Sequence, residues 1–246
     1  MDASTQLIEP VTDPVTEPVT EPVTGSFIEG LEVPATKPAL RGWLHVAAFV
    51  AVLALGSVLI ADAVGSERGP ATMIIYVLGT TAMFGVSSAY HRLRWTTSSR
   101  ALMSKLDHCT IFLAIAGAYT PIAVVALDGW QETSVLLTVW IGTVIGITLQ
   151  WLPFDLPRWA FAAVYVVVGW AALPSITSWY TGLGPLGFCL VIGGGIAYTL
   201  GAVVYAVKRP DPWPRIFGFH EVFHSFTIVG AGLHFAVMAA VVIPKL

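Results

Sequence analysis

The stretch L-D-H-C-T-I-F-L-A-I-A-G-A-Y-T-P-I-A-V-V-A-L, residues 106–127, decides the fold. After Asp107 and His108 it carries no charged side chain for 19 residues. A helix needs ~20 mostly apolar residues to cross the hydrocarbon core of a bilayer, and this stretch has them. Pro121 lies inside it, where a kink is expected.

Six similar blocks flank it, at about 43–64, 70–90, 133–152, 158–178, 184–207 and 219–243. The connections between them are short, which suits neighbouring antiparallel helices. Composition agrees: 56% of the 246 residues are hydrophobic and 11% are charged. A soluble domain carries about 25% charged residues, so too little polar side chain is present here to cover a water-facing surface. The expected fold is all-α: an integral membrane bundle of seven transmembrane helices spanning 37–246. The bilayer is the first partner implied, with a multi-pass location in the cell membrane. At a net charge of −3, with no basic cluster interleaved with aromatics, no nucleic-acid partner is expected. Cys109 and Cys189 sit in apolar stretches and read as buried thiols rather than a disulfide framework.

Basic residues orient this bundle, because cytoplasmic loops collect Lys and Arg. Lys37 and Arg41 precede the first block. Arg92, Arg94, Arg100 and Lys105 follow the second, Arg158 the fourth, and Lys208, Arg209 and Arg215 the sixth. That places ten of the twelve basic residues on one side, leaving Arg68 and Lys245 on the other. The N-terminus is therefore expected in the cytoplasm and the C-terminus outside. Residues 1–36 hold seven of the fifteen acidic residues and no basic one, with V-T-D-P-V-T-E-P-V-T-E-P-V-T at 11–24. Recurrent proline blocks helix, and acidic charge with little apolar surface favours disorder. The segment lacks the basic and apolar regions of a signal peptide and reads as a disordered acidic tail.

Ionisable groups inside a bilayer are costly, so each needs a partner or a function. The informative polar residues are Ser87, His91, Asp107, His220, Glu221 and His224. His220 and His224 are four apart, which on a helix puts both imidazoles on one face, as in a two-histidine metal clamp. Ser87 and His91 share that spacing at the end of the second block, and Asp107 opens the third. The alternating topology brings all of them to the cytoplasmic end. Three histidines from two helices can hold Zn2+ and leave one position open. Asp107 can then hold or deprotonate a water, and Ser87 can hydrogen-bond beside it. Blander readings stand beside this one: interfacial histidines, a first-turn carboxylate at Asp107, and a packing serine at Ser87. H-E-V-F-H at 220–224 also fits a zinc-protease pattern, with Glu221 as general base. His45, His108 and His234 have no partners at suitable spacing and read as structural or interfacial.

R-G-W-L-H (41–45), S-S-A-Y-H-R (87–92), the stretch 106–121, K-R-P-D-P (208–212) and F-G-F-H-E-V-F-H (217–224) together resemble the bacterial hemolysin III family. That group lies within the progestin and adipoQ receptor superfamily, related to alkaline ceramidases. The resemblance implies seven helices with a cytoplasmic N-terminus. It implies zinc held by His91, His220 and His224, with the family's serine at Ser87 and its aspartate at Asp107. Many members also carry Glu-x2-Asn at the start of the first helix. Here that region reads P-A-L-R-G-W-L-H, without the Glu and Asn.

Two function classes follow. One is a zinc-dependent amide hydrolase acting on a lipid, with Asp107 and Ser87 in catalytic roles. The other is a non-enzyme: a cytolytic pore, as the family name implies, or a lipid- or ligand-sensing receptor with structural zinc. Clustering of the polar residues at one end, with apolar helix centres, disfavours a monomeric water-filled pore.

Overall fold

The computed structural model describes residues 38–153 and 157–246. The acidic segment 1–36, expected to be a disordered tail, lies outside the described residues. Helices make up nearly all of the rest, and the described residues contain no extended strand. In chain order they are α1 (Trp43–Asp62), α2 (Gly69–Arg92), α3 (Thr97–Ala126), α4 (Gly129–Trp151), α5 (Arg158–Gly169), α6 (Ile176–Val207) and α7 (Phe219–Val237). A π-turn at Met238–Val242 and a 3-10 turn at Ile243–Lys245 continue α7.

Among the described residues, six helical segments are long and apolar enough to cross a membrane. α1 shows why lipid must surround them: it buries only His45, Gly56 and Leu59. Its other faces present apolar side chains such as Val50, Leu53 and Val58 outward. Exposed Leu78, Val144 and Val167 extend the same surface around the bundle. A water-soluble protein does not expose contiguous apolar surface on this scale.

One of the six segments, Trp159–Val207, is 49 residues long. As a straight rod it would measure about 75 Å, more than twice the ~30 Å hydrocarbon core. It folds back instead. Trp170 Nε1 donates to Thr199 Oγ1 (2.9 Å), and the Tyr180 and Phe188 rings meet at 5.4 Å. Both contacts centre on Gly184, whose φ of 75° and ψ of 173° interrupt α6. That backbone region is essentially open to glycine alone, and Pro185 then starts the returning arm. The fifth block, expected as one helix over 158–178, is therefore two pieces. α5 stops at Gly169, a 3-10 turn follows at Leu173–Ser175 with Pro174 in it, and helix resumes at Ile176.

α3 starts at Thr97, nine residues before the apolar block expected at 106. Thr96 caps it, its hydroxyl accepting from Ser99 N (3.3 Å), so a polar first turn outside the hydropathy signal becomes helical. Pro121 is accommodated within the unbroken helix.

The described chain begins at one end of the bundle and finishes at the other. At the first end, Ala39 N and Leu40 N donate to the carbonyls of Arg215 and Ile216. At the other, Arg68 pairs with Glu132, and Lys245 reaches the Gly182 carbonyl. α2 and α3 pack backbone to backbone: a Cβ on Gly79 would come within 2.6 Å of the Leu113 carbonyl oxygen, and one on Gly117 within 3.0 Å of that of Ile75. This contact sets the depth of α2 against α3, and with it the positions of His91 and Asp107.

Candidate metal centre

α2 turns Ser87, Ser88 and His91 into the bundle along its last turns. The Ser88 hydroxyl donates to the Phe84 carbonyl (2.6 Å), a bond made within α2 that leaves Ser87 and His91 to face the neighbouring helices. α7 supplies the other two imidazoles, and two carboxylates fix its start. Glu221 Oε2 accepts from Gly218 N (2.9 Å), and Asp211 Oδ1 accepts from Phe219 N (2.8 Å). Both satisfy amides that a helix start leaves open, where negative charge is favoured. His220 and His224 then share the inward face.

The structure brings His91, His220 and His224 together. One ligand atom from each lies within 4.8 Å of the others. Nε2 of His220 and Nε2 of His91 are 3.1 Å apart. The ring centroids are separated by 4.8 Å (His91–His220), 5.2 Å (His91–His224) and 4.4 Å (His220–His224). Asp107 places Oδ2 3.9 Å from His91 Nε2, and Ser87 lies beside the same carboxylate. His91, His224 and Ser87 are all buried.

This donor set fits a divalent cation. Two nitrogens on one tetrahedral ion at ~2.0–2.1 Å sit roughly 3.3 Å apart, close to the spacing found between His91 and His220. His224 Nδ1 is buried without a hydrogen-bond partner, a cost that a cation bound at that nitrogen would offset.

Glu221 does not face this cluster as a general base. Its carboxylate is 1% exposed, and both oxygens are engaged: Oε1 with the Arg41 guanidinium, Oε2 with the Gly218 amide. The protease-type reading of H-E-V-F-H thus loses its base, because Glu221 serves as a cap and an ion-pair partner.

The three histidines read as structural or interfacial each pack against a neighbouring side chain. His45 is buried and lies flat on His224, with centroids 3.7 Å apart and planes at 8°. Nε2 of His108 is 3.4 Å from the Tyr205 hydroxyl. His234 packs against Gly194 and Tyr198. Only the R-G-W-L-H stretch pointed towards His45 in the sequence, and spacing alone could not pair it with residue 224.

A cavity of about 170 Å³ opens from the cluster into the bundle. Ser87, Asp107, His220 and His224 lie at its polar end, and Ile111, Ile115 and Tyr119 follow along α3. From Asp107 to Tyr119 is roughly 18 Å of helix rise.

Residues 34–235 match the family model described as Haemolysin-III related. The chain belongs to the haemolysin-III-related family. With it the protein falls in the progestin and adipoQ receptor superfamily. Among its relatives are Hemolysin-3 of Bacillus cereus, 26% identical over 79% of this chain and 87% of that protein. The Hemolysin-3 homolog of Bacillus subtilis (strain 168) is 28% identical over 67% of this chain and 70% of that protein. The Adiponectin receptor protein of Drosophila melanogaster is 28% identical over 65% of this chain and 40% of its own length. In this haemolysin-III-related protein the motifs around His91, Asp107 and His220–His224 converge on one end of the bundle.

Proposed function

We propose that this protein is a zinc-dependent amide hydrolase of the cell membrane that cleaves N-acyl lipids, with zinc held by His91, His220 and His224. The observation that carries this reading is the trio of imidazoles within 4.8 Å, with Asp107 beside it, at the polar end of an apolar cavity. Zinc bound there would acidify water and polarise the amide carbonyl. Asp107, at the mouth of the cavity, takes the proton from the attacking water and returns it to the leaving amine nitrogen. Ser87 donates to the Asp107 carboxylate in the resting site, and once Asp107 has taken up the proton the serine hydroxyl hydrogen turns to the developing oxyanion. The apolar walls of Ile111, Ile115 and Tyr119 receive the acyl chain and exclude water. Purified zinc-loaded protein, incubated with labelled ceramides and other N-acyl lipids, should release free fatty acid; no turnover on a broad panel would overturn the reading.

The topology that goes with this is seven crossings, with the N-terminus cytoplasmic and the C-terminus outside. The reversal at Gly184 supports counting Trp159–Val207 as two crossings, and the two ends of the described chain lie at opposite ends of the bundle. The ten-to-two division of Lys and Arg supports the orientation. A tag at residue 1 should be protected from protease in intact cells and one after Leu246 cleaved.

The relatives' name raises lysis as a second reading. Against a pore in one chain stands the cavity, whose lining beyond the histidine cluster is mainly aliphatic and aromatic, with Thr199 and His234 among it. Liposomes loaded with a small dye decide this: zinc-independent leakage would favour the pore and leave the metal as a structural staple.

A further inference from the structure

We propose that His45 is not a metal ligand but a substrate-facing imidazole that selects N-acyl amino alcohols, by hydrogen-bonding the hydroxyl that neighbours the scissile amide. The inference rests on the hydrolase reading for its substrate class.

The geometry carries the first half. An imidazole binds a cation through a lone pair in the plane of its ring. The His45 and His224 planes are 8° from parallel, with centroids 3.7 Å apart. An ion in the plane of His224 therefore lies about one stacking distance out of the plane of His45, beyond a ~2.0–2.1 Å Zn–N bond. The stack rules out a shared ion and places the His45 nitrogens one layer away from it. Phe84 meets His45 edge-on (5.0 Å, 78°), so the ring is clamped on two sides.

Unmet hydrogen bonding carries the second half. His45 is 3% exposed, and neither Nδ1 nor Nε2 has a hydrogen-bond partner. It lines the same cavity as Ser87, Asp107, His220 and His224. A neutral imidazole presents one donor and one acceptor. A hydroxyl can answer either nitrogen, whereas a carbonyl only accepts and an apolar chain does neither. In an N-acyl amino alcohol the hydroxyl is two carbons from the amide nitrogen. That offset matches an imidazole displaced by one ring layer from the reacting centre. A buried polar group left unpaired by the wrong ligand is a strong source of discrimination.

The test measures binding, apart from turnover. Full-length zinc-loaded protein carrying Asp107→Asn is titrated in detergent with N-hexanoyl sphingosine and with an N-hexanoyl alkenylamine of the same chain length that lacks both hydroxyls. The parent should bind the hydroxylated probe about tenfold more tightly. His45→Phe, which keeps a stacked ring and removes both nitrogens, should keep its zinc and lose that preference. His45→Asn should restore part of it. Loss of zinc in His45→Phe would overturn the proposal by making His45 part of the metal site. An equal affinity of the parent for both probes, or an equal loss for both in His45→Phe, would overturn it too. A hydroxyl preference in protein that hydrolyses nothing would leave this inference standing and sink the hydrolase reading alone.

Discussion

Glu221 is joined to Arg41 across 180 residues of chain, and its second carboxylate oxygen holds the amide of Gly218, the residue that caps α7. One side chain thus ties the start of α1 to the start of α7 immediately beside His220. The link is tightened by Gly42, whose φ of 82° lets the backbone turn against α2; a Cβ there would lie 2.7 Å from His91 Cβ.

Removing the partner of a buried charge is costly. Arg41→Ala should lower stability by roughly 3 kcal/mol, and Glu221→Gln by less, since the amide still accepts from Gly218. Thermal unfolding in detergent reads both. Glu221→Gln should retain metal and turnover, the opposite of what a general base would show.

Metal retention separates ligands from the catalytic carboxylate. His91→Ala, His220→Ala and His224→Ala should each abolish stoichiometric zinc, measured by elemental analysis after gel filtration. Asp107→Asn should keep zinc and lose turnover by about a hundredfold or more, the contribution expected of a general acid–base group. Chelation of the parent should abolish activity, and added zinc should restore it.

Depth of the cavity should govern chain length. Ala118 lines it beyond Ile115 and is buried. Ala118→Leu should shift preference among N-acyl substrates towards shorter chains while leaving zinc content unchanged. Competition between short- and long-chain amides measures the shift.

The α2–α3 contact should be intolerant of bulk. Gly79→Leu puts side chain where the Leu113 carbonyl lies and should destabilise the fold by about 1–3 kcal/mol or more. Because that contact sets His91 against Asp107, turnover should fall further than zinc occupancy does. A variant with wild-type stability and activity would show that the backbones have room to spare.

Much of this protein was legible from local chemistry. Apolar blocks become membrane-crossing helices because an unpaired backbone amide cannot survive in hydrocarbon, so length and hydropathy alone settle helix at α1 or α4. The four-residue spacings of Ser87/His91 and His220/His224 fix which side chains share a helix face, and they do so wherever the helix sits. Together with the alternation of ends, this was enough to gather His91, Asp107, His220 and His224 at one depth.

Side-chain direction and long-range pairing were decided only in three dimensions. Hydropathy does not register the polar first turn of α3, which a Thr96 hydroxyl makes helical. The break expected between the blocks 158–178 and 184–207 falls at Gly184, where a backbone angle rather than a polar residue reverses the chain. Glu221 reads as a protease base from its neighbours and becomes a cap once Arg41 arrives. His45 has no partner at helical spacing, and its stacking on His224 exists only because α1 packs against α7. Periodicity reports on contacts within one helix; contacts between helices depend on rotation and depth, which packing alone sets.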